Sequence, residues 1–182
     1  MVSYDTVSAG IKVGRLPGLI VSAADAPRGW PPQKGKTEWI DFEFGADFNQ
    51  RHEARIVFEE ILPEAPDVPV QIAHLAGGDA PVDPAADAAL EFFIDMIAKK
   101  HSLARRLYFD VSGVVQPTTP VERRALIARR LRELGLQRIL YGSDAASDGN
   151  PPPREGWAAF RTLPLTDAEF RTIARNLAPY LR

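Results

Sequence analysis

The sequence predicts an α/β fold built from parallel βα units. Strand-like and helix-like segments alternate from about residue 37 onward. Most of the strand-like segments are short continuous apolar runs, which is typical of parallel strands buried on both faces. Several helix-like segments begin with proline or with a capping sequence. These observations together favour a parallel sheet that is covered by helices.

Four segments carry the strand signal. The first alternates in period two, so that Asp41 and Glu43 share one face while Ile40 and Phe42 share the other. The remaining three contain uninterrupted apolar runs, as expected of buried parallel strands. In order, the four segments are "EWIDFEF" (38–44), "VPVQIAH" (68–74), "RRLYFDVSG" (105–113) and "QRILYGSD" (137–144).

Each strand-like segment is followed by a helical one. Residues 51–62 place apolar side chains near one face, and a second helix is predicted from Asp83-Pro84 to about residue 100. "TPVE" at 119–122 and "TDAE" at 166–169 have the spacing of capping boxes. They predict a helix that ends at Gly135 and a last helix over residues 167–181.

The alternation gives four βα units in series, which leaves two architectures. One is an open, doubly wound sheet, and the other is part of a (β/α) barrel. A complete barrel has about 250 residues, so a chain of 182 residues is short for one. Residues 1–36 form a divergent segment in which Leu19-Ile20-Val21 could hold one strand, and residues 37–182 form the (β/α) domain. Residues 147–157 are loop-rich and follow the carboxyl end of a strand.

Composition narrows the class of protein. The chain is 45% hydrophobic and 25% charged, which is ordinary for a soluble globular domain. A net charge of −2 argues against nucleic-acid binding, and no apolar stretch approaches a membrane span. The absence of cysteine excludes disulfides and thiolate metal sites. We therefore expect a soluble, cytoplasmic protein with no nucleic-acid or membrane partner.

Three polar residues lie where predicted parallel strands end. His74 ends the second strand segment, Asp110 lies within the third, and Asp144 ends the fourth behind Gly142-Ser143. The carboxyl edge of a parallel sheet is where α/β proteins bind ligands. A histidine and a carboxylate that converge there could bind a metal or share proton transfer. For Asp110 a structural hydrogen-bonding role is favoured, and a turn or cap remains the alternative for Asp144.

Four motifs in order resemble the C-terminal half of the amidohydrolase-related family. They are "VPVQIAHLAGG", "LYFDVSG", "RILYGSD" and "LTDAEFRTIARNLAPYL", and the resemblance covers roughly Ala54 to Leu181. The family consists of metal-dependent TIM-barrel hydrolases and decarboxylases, so the resemblance implies a partial or shortened TIM-barrel-like fold. It also implies that His74 moves a proton and that Asp144 is a metal ligand or proton shuttle. Asn176 matches a structural asparagine of the last helix.

The departures from the family concern the metal. The family carries a His-x-His or Glu-x-His pair on its first strand, whereas this chain has only three histidines and no such pair. His52 is predicted in the first turn of a helix and His101 near a helix C-terminus. Asp41 and Glu43 stand where a further histidine ligand is expected. They could act as oxygen ligands, although a carboxylate pair on a strand is more often a solvated face. We therefore expect zinc or manganese to bind weakly or not at all.

Three hypotheses follow from these residues. The first is a metal-dependent hydrolase or decarboxylase of a small carboxylate-bearing substrate, shortened and weakly active. The second is a non-catalytic remnant that binds a small molecule or serves as an assembly subunit, and the third is an incomplete product of a longer enzyme. A half barrel exposes two sheet edges. We therefore expect either a homo-oligomer or new strand pairing by the N-terminal segment.

Overall fold

The structure is a computed structural model that describes residues 10–14, 39–43, 50–64, 69–77, 84–145 and 151–178. Within these ranges one sheet contains the strands β1 (Gly10–Gly14), β2 (Trp39–Glu43), β3 (Val70–Ile72), β4 (Leu107–Asp110) and β5 (Ile139–Leu140). The helices are α1 (Gln50–Ile56), α2 (Leu62–Glu64), α3 (Pro84–Ala98), α4 (Val121–Leu134), α5 (Pro153–Phe160) and α6 (Asp167–Arg175).

The order of the strands in the sheet equals their order in the chain. Strands β2 to β5 are parallel, and each is hydrogen-bonded to the next. A doubly wound sheet reverses its strand order at a switch point, whereas a barrel winds in one direction. The arrangement confirms the predicted series of βα units and is compatible with a partial TIM-barrel-like fold.

Strand β1 was not predicted where it lies. It pairs antiparallel with β2, with Lys12 in register with Asp41. The run Leu19-Ile20-Val21, which was the predicted candidate for a strand, lies outside the described residues. The "GIKVG" of β1 is short and flanked by glycine, so it carries little strand signal. Because β1 covers the edge of β2, the expected pairing by the N-terminal segment is observed. The division between residues 36 and 37 stays a prediction.

The core lies between the sheet and its helices. Val70, Ile72, Leu107 and Phe109 are fully buried on one sheet face. The ring of Phe93 in α3 packs edge-on against Phe109, with the ring centroids 5.7 Å apart. On the other face the register partners Gln71 and Tyr108 are only half-buried. The sheet therefore has one apolar, helix-covered face and one more polar face, and its carboxyl edge carries the candidate site.

The helix starts are partly as predicted. The capping box at Thr166 is present, since Thr166 Oγ1 accepts from Glu169 N at 3.3 Å and Glu169 Oε2 accepts from Thr166 N at 2.7 Å. The capping box predicted at Thr119 is wrong, because helix α4 begins after Pro120, which has no side-chain cap. Thr119 Oγ1 instead accepts from Gln116 N at 2.8 Å within the preceding loop. The predicted cap Asp83 lies outside the described residues, although its helix begins at Pro84 as expected.

The observed elements are shorter than the predicted ones. Helical turns of the tight 3₁₀ type occupy Ser102–Arg106 and Leu136–Arg138, where β4 and β5 were predicted to begin. The first predicted helix contains a π turn at Val57–Ile61, with Leu62 N–H donating to Val57 O. In the predicted loop, helix α5 begins at Pro153, and residues 146–150 are outside the described part. Apolar periodicity does not reveal how a backbone tightens at the ends of its elements.

Asn176 closes the outer edge of β5. Helix α6 ends here instead of continuing to residue 181. The Nδ2 group of Asn176 donates to the carbonyl oxygens of Leu136 and Ile139, both at 2.7 Å. Leu140 O is taken by Val111 N on the β4 side, so Ile139 O points to the open side of the strand. The structural role implied for Asn176 is therefore observed as two buried carbonyl contacts.

Candidate active site

Three chain segments meet at the carboxyl edge of the sheet. His74 follows β3, Ser112 follows β4, and Asp144 follows β5. Because these strands are parallel neighbours, their carboxyl ends lie at one edge. The prediction that the strands leading to His74, Gly113 and Asp144 are neighbours in chain order is confirmed.

His74 does not end its strand as predicted but lies in the turn that follows. Strand β3 stops at Ile72, and His74 has φ +49°. Its Nδ1 lies 2.8 Å from the carbonyl oxygen of Ser112. A carbonyl oxygen can only accept, so Nδ1 carries the proton and donates it. In the neutral ring the basic lone pair is therefore on Nε2, which is the nitrogen that can take a proton or bind a metal.

Asp110 connects the turn after β3 with the loop after β4. It is almost fully buried. Its Oδ1 accepts from His74 N at 3.2 Å, from Ser112 N at 3.1 Å and from Ser112 Oγ. Its Oδ2 accepts from Gln71 Nε2 at 3.1 Å. The structural hydrogen-bonding role favoured for Asp110 is confirmed.

Ser112 and Gln71 were missed by the sequence reasoning. Ser112 belongs to an Asp-x-Ser pattern, in which an aspartate side chain accepts from the backbone N–H two residues on. That pattern is readable in "DVSG", and it predicts an ordered turn after the strand. Gln71 could not have been found in this way, because its contact with Asp110 joins residues 39 positions apart.

Ser112 also lies next to the segment that carries Asp144. A Cβ placed on Gly142 would be 3.6 Å from Cβ and Oγ of Ser112, so the two loops run close to each other. Asp144 has φ +48° and is partly exposed. His74 and Asp144 thus flank Ser112 at the same edge. That both side chains open onto one cleft stays a prediction.

A small cavity lies beside this edge, between the ends of β4 and β5 and helix α5. It is lined by Val111, Gly113, Val115, Tyr141, Gly142, Ser143, Pro151, Gly156 and Phe160. Tyr141 packs its ring against Trp157 and Phe160, with centroid distances of 4.8 and 5.2 Å. Its hydroxyl is buried and has no hydrogen-bond partner among the described residues. Burial raises the pKa of the Tyr141 phenol above its ordinary value.

The two further carboxylates predicted as metal ligands lie in β2. Asp41 is in register with Gln71 of β3, and Glu43 is the last residue of the strand. The backbone of β2 therefore places Asp41 next to β3 and Glu43 one residue beyond the last pair of the two strands. Their role as ligands stays a prediction.

The remaining histidines differ in position. His101 lies before β4, at the amino edge of the sheet and thus opposite to His74. Its Nδ1 accepts from Leu103 N at 3.3 Å, and its ring meets Phe58 at 4.9 Å. His52 is in the first turn of α1, as predicted.

The described donors fall short of a catalytic zinc site. A zinc enzyme uses about three protein ligands and an open position, whereas the described part of this edge offers one imidazole, His74, and two carboxylates, Asp110 and Asp144. The carboxylate of Asp110 already accepts four hydrogen bonds. Among the residues whose side chains are described, no group of three or more His, Asp or Glu side chains could hold a metal ion.

Comparison with known proteins identifies the class of protein to which this fold and this candidate site belong. The sequence profile of the Amidohydrolase family matches residues 12–176, so the chain belongs to the amidohydrolase family. This confirms the resemblance drawn from the four motifs, and the match begins well before Ala54, where the resemblance began. At family level the chain is an amidohydrolase-related hydrolase or decarboxylase. No curated protein matches the chain.

The helices were also compared with the length and hydropathy that a membrane span requires. None of the helices in the described ranges is long and apolar enough to cross a bilayer.

Proposed function

We propose that this protein hydrolyses or decarboxylates a small carboxylate-bearing molecule, with His74 as the residue that moves the proton. The observation that supports this most directly is the 2.8 Å contact between His74 Nδ1 and the carbonyl of Ser112. It leaves the basic lone pair on Nε2 and fixes the plane of the ring. A base that is held in this way contributes about 10²–10⁴-fold to a rate.

Asp144 is the second residue of the proposal. Its segment follows β5 and passes close to Ser112 at Gly142, at the edge where His74 lies. A carboxylate there can receive the proton that His74 collects, or it can bind a cation. The positive φ of both His74 and Asp144 supports a functional role for this edge, because unfavourable backbone conformations cluster at functional sites.

The proposed reaction does not depend on tight binding of a divalent metal such as zinc or manganese. Members of the family often use divalent metals, and a bound metal would polarise a water or a carbonyl. Because His74 and Asp144 are only two donors, we propose that metal binds weakly or not at all. If Asp41 and Glu43 contribute, the oxygen-rich set suits manganese better than zinc.

A non-catalytic remnant is the second candidate. The position of His101 favours it, because this histidine lies at the opposite edge of the sheet and cannot complete a site with His74. In that case the carboxyl edge would bind a small molecule without turning it over.

The test combines metal binding with turnover. Zinc and manganese are titrated into metal-free protein by calorimetry, and the protein is then assayed on small carboxylate-bearing lactones and amides and for release of carbon dioxide. We expect slow turnover that falls at least about 100-fold in His74→Asn. The matched control His101→Asn should retain it. Turnover that is unchanged in His74→Asn would remove His74 from the mechanism. Binding of a ligand without any turnover would favour the remnant.

Self-association is a further part of the proposal. The outer strand β1 has its partner β2 on one side only among the described strands, and such an edge can pair with a second copy. The mass in solution tests this: a dimer or larger is expected, and a monomer at high concentration would contradict it.

A further inference from the structure

The turn after β3 has a backbone that most residues avoid. His74, Leu75 and Ala76 are all in the left-handed region, with φ of +49°, +56° and +65°. Residues other than glycine enter this region at a cost and rarely in succession. Two hydrogen bonds close the turn, Ala76 N to Ala73 O at 3.0 Å and Gly77 N to His74 O at 3.1 Å. Such a turn persists only where its surroundings hold it.

Asp110 ties this turn to the loop that follows β4. One oxygen, Oδ1, accepts both the backbone N–H of His74 and the two donors of Ser112. The backbone of the left-handed turn and the backbone of the next loop are thereby tied to one atom. Leu75 and Ala76 are fully buried, so the turn is also held by packing.

Ser112 passes this constraint to the imidazole. With its N–H and its hydroxyl both bound by Asp110, residue 112 is held beside the turn that carries His74, within reach of the imidazole. That carbonyl accepts from His74 Nδ1 at 2.8 Å. The chain of contacts therefore begins at Asp110 and ends with the proton on a particular ring nitrogen of His74.

We propose that Asp110 is a positioning residue for His74, which acts through the main chain of Ser112 to keep the neutral ring in the Nδ1–H form. In this form Nε2 is the basic nitrogen. The proposal rests on the proposed function for its use in catalysis, but the tautomer itself can be measured without any substrate.

The test is nitrogen NMR of ¹⁵N-histidine-labelled protein at a pH of about 9, above the ordinary pKa of histidine. Only three histidines give ring signals, and His74→Gln identifies the signals of His74. We expect a protonated Nδ1 and an unprotonated Nε2. In Asp110→Ala we expect the ratio of the two tautomers to fall by about tenfold, as for the loss of one net hydrogen bond.

Two further variants separate positioning from folding. Asp110→Asn keeps a carbonyl oxygen at the position of Oδ1 and should restore most of the ratio. Gln71→Ala removes the contact to Oδ2, leaves the three donors to Oδ1 in place and should leave the ratio unchanged. If Asp110→Ala does not fold, Ser112→Ala, which removes one of the three donors to Oδ1, should shift the ratio in the same direction by less. An unchanged ratio in a folded Asp110→Ala, or in Ser112→Ala, overturns the proposal.

Turnover is measured separately, so that the two proposals can fail independently. A ratio that depends on Asp110 in a protein without turnover supports the positioning role and removes the proposed function. If turnover requires His74 but the tautomer ratio does not depend on Asp110, the proposed function is supported and the positioning role is removed.

Discussion

Among the residues whose burial the structure describes, two charged side chains are buried, Asp110 and Arg130, and their partners differ in kind. Asp110, at the carboxyl edge of the sheet, accepts hydrogen bonds from uncharged donors of Gln71, His74 and Ser112. Arg130, between α4 and α3, is surrounded by carboxylates. Its guanidinium meets Asp87 at 2.6 Å, Glu91 at 2.8 Å and Glu133 at 2.9 Å.

The difference shows what each charge does. The Arg130 cluster joins two helices, and the hydrogen bond to Asp87 is the main cause of the raised pKa of its guanidinium. The cluster does not hold any residue in a left-handed backbone conformation. Asp110 instead binds main-chain N–H groups and determines the course of a left-handed turn. A carboxylate attracts a guanidinium over a range of orientations. Hydrogen bonds to backbone N–H groups are more directional, so they hold the donor and acceptor groups in one geometry. A base that has to be oriented benefits from the second arrangement.

Removal of Asp110 should have the largest effect. Asp110→Ala leaves buried donors of Gln71, His74 and Ser112 without their acceptor, at about 1–3 kcal/mol for each unsatisfied donor. Because the Ser112 hydroxyl can rotate, we expect a total loss of about 3–5 kcal/mol in the free energy of unfolding. Urea denaturation followed by circular dichroism measures it. Asp110→Asn should lose less than half as much, and an equal loss in both variants would contradict the role of Oδ1.

Removal of Arg130 should rank second. Arg130→Ala leaves three carboxylates close together, but Glu91 and Glu133 are partly exposed and can turn toward water. We therefore expect a loss of about 2–3 kcal/mol, below the range for a fully buried pair. The matched control is Arg129→Ala, whose exposed pair with Glu133 should contribute less than about 0.5 kcal/mol. Equal losses would mean that burial of Arg130 adds nothing.

The two regions also differ in how far the sequence predicts them. The alternation of strand-like and helix-like segments predicted the parallel sheet. The positions of His74 and Asp144 predicted that the candidate site lies at its carboxyl edge. The left-handed turn could not be predicted, because "HLA" has no glycine where φ is positive. The Arg130 cluster depends on contacts across 43 and 39 positions. The error at Thr119 has a different cause, since a local contact with Gln116, three positions away, competed with the cap. Local patterns predict local structure, while the turn and the Arg130 cluster depend on tertiary contacts.

An exposed ion pair gives a third comparison, and its effect depends on pH. Hydrogen bonds from Arg132 and from the backbone N–H of Thr166 lower the pKa of Glu169 from 4.5 to about 2. Because the folded-state value is depressed, this contribution is present above pH 4.5 and is lost as the pH falls toward 2. Glu169→Gln should cost about 1 kcal/mol at pH 7, as for a lost cap, and nearly nothing at pH 2.

The measurement is the difference in the free energy of unfolding between Glu169→Gln and the unchanged protein, taken from pH 7 to pH 2. The control Glu59→Gln breaks an exposed pair with Arg55 and should cost less than about 0.5 kcal/mol at pH 7. A difference for Glu169→Gln that is constant over this range would show that its carboxylate is not the group that matters.

The smallest effect is expected where a buried polar group has no partner at all among the described residues. The hydroxyl of Tyr141 is such a group, and its ring packs on Trp157 and Phe160. Tyr141→Phe keeps the ring and removes a hydroxyl whose burial is not repaid, so stability should rise by about 0–1 kcal/mol. Tyr141→Leu removes the aromatic contacts as well and should lose about 1–2 kcal/mol. Thermal unfolding of both variants separates the hydroxyl from the ring. A loss above about 1 kcal/mol in Tyr141→Phe would show that this hydroxyl, like Asp110, is held by hydrogen bonds.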